Sequence, residues 1–175
     1  MEDVDTRAVG PDAHRAAARL FASGVTVVAA AHGGRSHAIT ATAFCSLSLE
    51  PPLVLVAVRR SSQLLELVRG SGCFGVSVLA AHQRHIGEWA AARGRPLERD
   101  LPANAATTAV TGAPLVPDAL AWFDCTVHGV EEHGDHTILV GLVAGAGDGQ
   151  GEPLTYFAGD YHALGPVIER APDDL

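Results

Sequence analysis

Between Ser36 and Glu50 the chain reads SHAITATAFCSLSLE. Taken as extended, its even positions carry Ser36, Thr40, Thr42, Ser46 and Ser48. Its odd positions carry His37, Ile39, Ala41, Ala43, Cys45, Leu47 and Leu49. Side chains alternate across a strand, so the odd set predicts an apolar, small core face and the even set a face of hydroxyls. Small residues let another molecule approach the backbone closely. Hydroxyls and exposed backbone N–H groups can hydrogen-bond the edge of a planar heterocycle. The same alternation also suits a solvated strand face, where Ser and Thr are simply good β residues. The length of the run is unusual for one strand and predicts a bend near Phe44 or Cys45.

A second constellation is Arg59-Arg60-Ser61-Ser62, at the end of the apolar run Leu53–Val58 and before QLLELVRG. A helix N-terminus offers free N–H groups and partial positive charge, and serines and arginines beside it suit a phosphate. An ordinary N-cap with solvated arginines explains the same residues. His136 begins a strand after the turn His133-Gly134-Asp135, so it can project at a rim, or simply bond Asp135. The nine histidines give no metal site by spacing: His82 and His85 on a helix and His133 and His136 around a turn lack further ligands, and HExxH and CxxC are absent. Gly145–Gly151 misses GxGxxG because Gln150 fills the last glycine position, and it leads to Pro153 and a strand. No GxSxG elbow occurs, which disfavours a serine hydrolase. Trp89 and Trp122 read as packing residues.

The elements that must position these residues follow from periodicity. Pro11 opens a short amphipathic helix with Ala13, Ala17, Leu20 and Phe21, ending near Gly24. GVTVVAAA (24–31) is a strand, and LVLVAV (53–58) reads as a strand buried on both faces. Ser61-Ser62 caps a helix that Gly70 or Gly72 ends. CFGVSVL (73–79) is a strand, Ala80–Arg93 a helix with Ile86, Trp89 and Ala90 on one side, and 94–118 mostly loop. AWFDCTVHGVEE (121–132) and HTILVGLVA (136–144) form a hairpin, GAGDGQG (145–151) is a turn, and PLTYF (153–157) with GDYHALG (159–165) closes the domain. Six to eight strands with hairpin links and few short helices predict an antiparallel barrel.

At 175 residues the chain is one domain, expected over 11–166, with a flexible arm at 1–10 and a tail at 167–175. Hydrophobic residues make up 47% and charged ones 18%, which excludes disorder. A formal charge of −8 argues against nucleic acid and anionic membranes as partners. Cys45, Cys73 and Cys125 are widely spaced in apolar runs and read as buried free thiols. With no apolar signal in Met1–Gly10 and no stretch of about 20 apolar residues, a cytoplasmic protein is expected.

Over about 21–165 the ordered segments FASGVTVVAA, ITATAFCSLSLEPPLVLVAVRRSSQLLELVRGSGCFGVSVL, GAPLVPDALAWFDCTVHGVEEHGDHTILVGLV and PLTYFAGDYHAL resemble the flavin reductase family. These are NAD(P)H:flavin oxidoreductases that serve two-component flavin monooxygenases. The resemblance implies a mostly β, FMN-binding split β-barrel, antiparallel and Greek-key-like. It implies a homodimer with the flavin near the subunit interface. The implied reaction reduces FMN or FAD with NADH or NADPH, and a partner monooxygenase receives the reduced flavin.

Carried over by position, Thr40-Ala41-Thr42-Ala43 and Ser46-Leu47-Ser48 match the flavin-ring segment. Ser61-Ser62 match the segment near the flavin phosphate, and Ser23-Gly24 a Thr-Gly bordering the ring. His136 matches the histidine on the nicotinamide side and is the candidate catalytic residue; Tyr161 matches a C-terminal aromatic near the same pocket. Ala43 stands where the family usually has Ser, Ser77 where it usually has Asn, and RPLERDLPANAATTAV replaces a Phe-rich stretch. These departures leave two alternatives: a flavin-retaining oxidoreductase on the same barrel, or a non-catalytic flavin or haem module.

Overall fold

The computed structural model describes residues 8–92, 94–95 and 107–166. Most of the expected arm, the expected tail and residues 96–106 of the unusual segment lie outside the described residues. In chain order the elements are α1 (Pro11–Ala18), β1 (Ser23–Gly24), β2 (Thr26–His32), β3 (Arg35–Ala41), β4 (Phe44–Leu49), β5 (Pro52–Arg59), α2 (Leu64–Ser71) and β6 (Cys73–Val78). A 3₁₀ turn (Ala81–Gln83), α3 (Arg84–Ala91), β7 (Ala121–His133), β8 (His136–Asp148), β9 (Thr155–Phe157) and β10 (Asp160–His162) follow.

Seven strands form one antiparallel sheet in the order β3-β2-β6-β7-β8-β5-β4. Its two edge strands, β3 and β4, are consecutive in sequence and joined only by Thr42 and Ala43. Two residues cannot span a flat sheet of this width, so the sheet curls until its edges meet at that joint. The Ala57 N–H donates to the Ala43 carbonyl at 3.0 Å, just where they meet. β1, β9 and β10 make a separate small sheet.

Two apolar cores flank β2. Val28 and Ala30 face one with Val54, Val56, Phe74, Cys125, Leu139 and the buried leucines of α2. Val25, Val27 and Ala29 face the other with Leu79, Ile86 and Ala90 beneath α3. A strand buried on both faces is apolar at successive positions, which accounts for the run GVTVVAAA. The first core has little room: a Cβ on Gly141 would lie 2.6 Å from the Phe74 ring and 2.8 Å from Cys125 Cβ.

Several expectations need correction. α1 stops at Ala18 and buries no residue; Leu20 and Phe21 beyond it are exposed, Phe21 at 80%. The bend in 36–50 falls at Thr42–Ala43, and past it Cys45, Leu47 and Leu49 are exposed, Leu49 at 84%. The expected core face therefore ends at the bend, where the chain passes to β4 on the opposite edge of the sheet. Only Cys73 and Cys125 of the three thiols are buried. β5 alternates instead of burying both faces: Val54, Val56 and Val58 enter the core, while Leu55 and Ala57 line cavities. β8 runs on to Asp148, so Gly145–Asp148 is strand. Glycine at 147 suits it, since a Cβ there would lie 2.6 Å from the Trp122 indole. The helix expected over 80–93 is a 3₁₀ turn followed by α3.

Candidate functional site

β3 pairs with β2 on one edge only, and a cavity of about 760 Å³ opens along its other edge. One wall is β3 itself, from His37 and Ile39 to Ala41, with the joint Thr42–Ala43. A second wall is the end of β5 and the following turn: Ala57, Val58, Arg59, Ser61, Ser62 and Gln63. The C-terminal end of α3 with Gly94 and Arg95 makes a third, and His136 stands at the rim.

Arg95 donates to the Ala38 carbonyl. That carbonyl therefore points away from β2, and alternate residues in an antiparallel strand share an edge. The backbone groups of Thr40 consequently face the cavity, next to the small side chains of Ala41, Ala43 and Ala57. The Thr40 hydroxyl itself donates to the Gly87 carbonyl on α3 at 2.6 Å, so it is an anchor for the strand and not a free donor.

The turn after β5 is held rigidly. Arg60 N–H donates to the Asp135 carbonyl at 3.0 Å and Ser62 N–H to the Arg59 carbonyl at 2.9 Å. Arg60 also pairs with Glu132 at 2.9 Å, leaving Arg59 as the arginine of this turn that lines the cavity. Helix α2 begins at Leu64, whose N–H donates to Ser62 Oγ at 3.3 Å. Gly72, at φ 71°, ends it. Serines, Arg59 and the positive end of α2 thus meet at one end of the cavity, an arrangement that suits a phosphate.

His136 is the cross-strand partner of Arg59. Its Nδ1 lies 2.8 Å from Asp135 Oδ1. That hydrogen bond, then the charge of the imidazole, holds the Asp135 carboxyl below the usual carboxylate range. It also fixes the ring and leaves Nε2 as its remaining polar atom. The turn contact and the cavity position weighed as alternatives at the sequence level therefore hold together.

A second, more apolar cavity of about 540 Å³ shares Thr42 and Ala43 with the first. It is walled by Phe21, Phe44, Cys45, Leu55 and Tyr156, with Ser23, Arg15 and Arg19 at its edge. The joint is the common lip, so a flat ring with a phosphate-bearing tail fits from Thr42–Ala43 to Ser61–Ser62.

The structure thus brings together Thr40, Ala41, Thr42, Ala43, Ser61, Ser62 and His136, with Ser23 reached through the second cavity. Others stand apart. Gly24 pairs with Thr155 in the small sheet, and Ser46, Leu47 and Ser48 lie past the bend on β4 and line neither cavity. Ser77 is a correction: it is 1% exposed and its Oγ accepts the Val116 N–H at 2.9 Å, because that face of β6 holds the loop before β7. Tyr161 packs edge-on against Tyr156 and under Arg84, and burial raises its phenol pKa. It lines neither cavity.

Reading the sequence missed His37 and Arg95. His37 is 8% exposed, lines the first cavity, and has a buried Nδ1 without a partner. Burial, then the charge of Arg95, lowers its pKa, so the imidazole is neutral at pH 7. Its signal was present: it is the one basic side chain on the otherwise apolar odd face of 37–49. Arg95 lies at the start of a stretch without periodicity, 94–118, and gave none. Burial, then Asp124, pushes the Cys125 thiol up to about 12, which excludes it as a thiolate nucleophile. Among the described residues no cluster of His, Cys, Asp and Glu could hold a metal.

Known proteins agree with this geometry. The family described as flavin reductase like domain matches residues 18–165. The chain is 44% identical over 158 residues to the reductase component of 4-hydroxyphenylacetate 3-monooxygenase from Thermus thermophilus, spanning 87% of this chain and 96% of that protein. It is 36% identical over 152 residues to the NADH-dependent flavin reductase StyB of Pseudomonas fluorescens, spanning 85% and 86%. The crystal structure of BorF, the flavin reductase component of a bacterial two-component tryptophan halogenase, superposes with a TM-score of 0.82 at 39% identity, over 90% of this chain and 100% of that one. With its curled antiparallel sheet and a cleft at the joint of its edge strands, the chain belongs to the flavin reductase like family.

Proposed function

We propose that the chain catalyses NADH-dependent reduction of a flavin and supplies the reduced flavin to a partner flavin monooxygenase. The observation that carries this reading is the pair of adjoining cavities that share Thr42 and Ala43, one apolar, the other reaching Arg59, Ser61 and Ser62 at the start of α2. Bound flavin accepts a hydride at N5 from nicotinamide C4, and with a proton from solvent the balance is NADH + flavin + H⁺ giving NAD⁺ and dihydroflavin.

The chain's own work is placement. The open edge of β3 and the small residues at 41, 43 and 57 receive a flat ring at close range, and exposed backbone N–H groups can stabilise negative charge developing along its edge. Arg59, Ser61, Ser62 and the N-terminus of α2 hold the phosphate tail. His136, fixed by Asp135, contacts the nicotinamide side at the rim. Holding two rings in near-attack geometry supplies much of the rate without a nucleophile or a metal.

In the same reading the molecule is a homodimer in the cytoplasm. Leu47 and Leu49 on β4 and Leu20 and Phe21 after α1 are exposed in one copy, and Phe21 lines the second cavity, which supports a partner subunit covering them.

The test is loss of NADH absorbance on adding FMN or FAD to protein shown to be folded. Turnover that depends on added flavin is expected. Absence of turnover with either flavin overturns the reading. Flavin that stays bound through desalting, with poor NADH oxidation, points to a flavin-retaining oxidoreductase instead.

A further inference from the structure

We propose that Arg60 is a positioning residue for the reduction step. It holds the tip of the β7–β8 hairpin against the turn after β5, and so sets where His136 stands relative to Arg59, Ser61 and Ser62. The inference rests on the reading of the first cavity as the flavin site with His136 on its nicotinamide side.

The hairpin ladder closes at the pair His133–His136, which leaves Gly134, at φ 56°, and Asp135 as a tip outside it. A carbonyl outside the ladder takes its hydrogen bond from water or from another element. Both tip carbonyls take theirs from one residue. Arg60 Nη1 donates to the Gly134 carbonyl at 3.3 Å, and the Arg60 N–H donates to the Asp135 carbonyl at 3.0 Å. The guanidinium also meets the strand leading to the tip, with Nη2 2.9 Å from Glu132 Oε2. The other oxygen of Glu132 lies 3.7 Å from Arg69 Nη2 on α2. One carboxylate therefore links the hairpin to the turn and to the helix whose start forms the phosphate end of the cavity.

Arg60 lines neither cavity, so it acts through what it holds. It holds Asp135 by the backbone, and the Asp135 carboxylate fixes the His136 ring. Arg59 and His136 form the last rung of the β5–β8 ladder, so a tip that shifts carries His136 away from the phosphate end. The Arg60–Glu132 pair is half-exposed and adds little to global stability. A reacting group is far more sensitive, because small displacements spoil near-attack geometry. Loss of the side chain should therefore spare the fold and flavin binding and impair the use of NADH. Lysine is a partial substitute: one ammonium reaches Glu132 or the Gly134 carbonyl, whereas the planar fork reaches both.

The test is a double-mutant cycle in the full-length protein. Arg60→Met should lower kcat/KM for NADH about threefold at saturating flavin. The flavin dissociation constant, read by quenching of flavin fluorescence, should stay within about twofold of wild type. In a His136→Ala background Arg60→Met should have no further effect, because the side chain acts through His136. Arg60→Lys and Glu132→Gln should move kcat/KM in the same direction by less. With no flavin or NADH present, the amide at residue 60, bonded to the tip, should exchange about two- to fivefold faster in Arg60→Met than in wild type. An equal loss in both backgrounds overturns the proposal, as does a loss accounted for by weaker flavin binding. Wild-type kinetics or wild-type amide exchange in Arg60→Met overturns it too. Absence of NADH oxidation by the wild type with either flavin overturns the reading of the site as well.

Discussion

At the rim of the cavity His136 and Arg59 face each other across the β5–β8 ladder, and Asp135 fixes the His136 ring. Removing that ring by His136→Ala should lower kcat/KM for NADH about tenfold, close to 1.4 kcal/mol of transition-state stabilisation. Asp135→Asn, which leaves the ring in place with a weaker partner, should cost less, and steady-state kinetics with saturating flavin measures both. His37 makes a prediction of the opposite kind, on stability. The folded protein keeps it neutral, and the unfolded chain protonates it near an ordinary pKa of about 6.5. The unfolded state therefore binds more protons below that pH, so stability is full above about 6.5 and falls as pH drops toward the lower folded value. Urea midpoints measured from pH 8 to pH 5 should show this slope, and His37→Gln should flatten it. The extended run through 40–43, the serines at 61–62 and the turn before 136 are marked by residue type. Residue type alone left them open to a solvated strand face, an ordinary N-cap and a turn contact; only the family resemblance pointed them at a flavin. Ser77 could not be judged that way, since a serine bonding a loop N–H looks the same in sequence as one bonding a ligand.

Among the elements, the loop before β7 depends on one buried carboxylate. Asp124 is fully buried and accepts the N–H groups of Val110 and Thr111, at 2.6 and 2.8 Å, and the Thr111 hydroxyl. Asp124→Ala leaves these donors without a partner beside the β6–β7 ladder and should cost about 3 kcal/mol, read as a lower urea midpoint with little change in m. Gly141→Ala pushes a methyl group into Phe74 and Cys125 and should cost about 1–3 kcal/mol by the same measurement. Strand positions were legible because β2, β5, β6 and β7 carry apolar runs or alternation. What apolarity could not show is the destination of a face. Leu55 and Ala57 on β5 look like core in sequence, yet they line cavities, and the glycines at 145 and 147 look like a turn until Val110 and the Trp122 ring, respectively, are seen to need their space.

For the whole molecule the decisive fact is where the sheet ends. β4 is the last strand in the order, its outer edge has no ladder partner among the described residues, and Leu47 and Leu49 on it are exposed in the single copy. An exposed apolar edge invites pairing unless something covers it. Leu20 and Phe21 add to the same excess, and Phe21 and Cys45 reach the second cavity, whose lip Thr42–Ala43 is also the lip of the first. Burying a leucine or phenylalanine of this kind contributes roughly 1.5–3 kcal/mol, so several together are of the same size as the cost of associating two copies. A charge placed there would be buried without a counter-ion on dimerisation. Leu49→Asp, alone and with Phe21→Ser, should therefore shift sedimentation from twice 18.1 kDa toward 18.1 kDa. If the partner subunit closes the second cavity, flavin affinity should fall in the same variants at the same protein concentrations, and should recover as concentration rises. Wild-type protein that sediments at 18.1 kDa would overturn the homodimer, and variants that keep the dimer mass would place the interface elsewhere; either leaves the apolar face of β4 without this explanation.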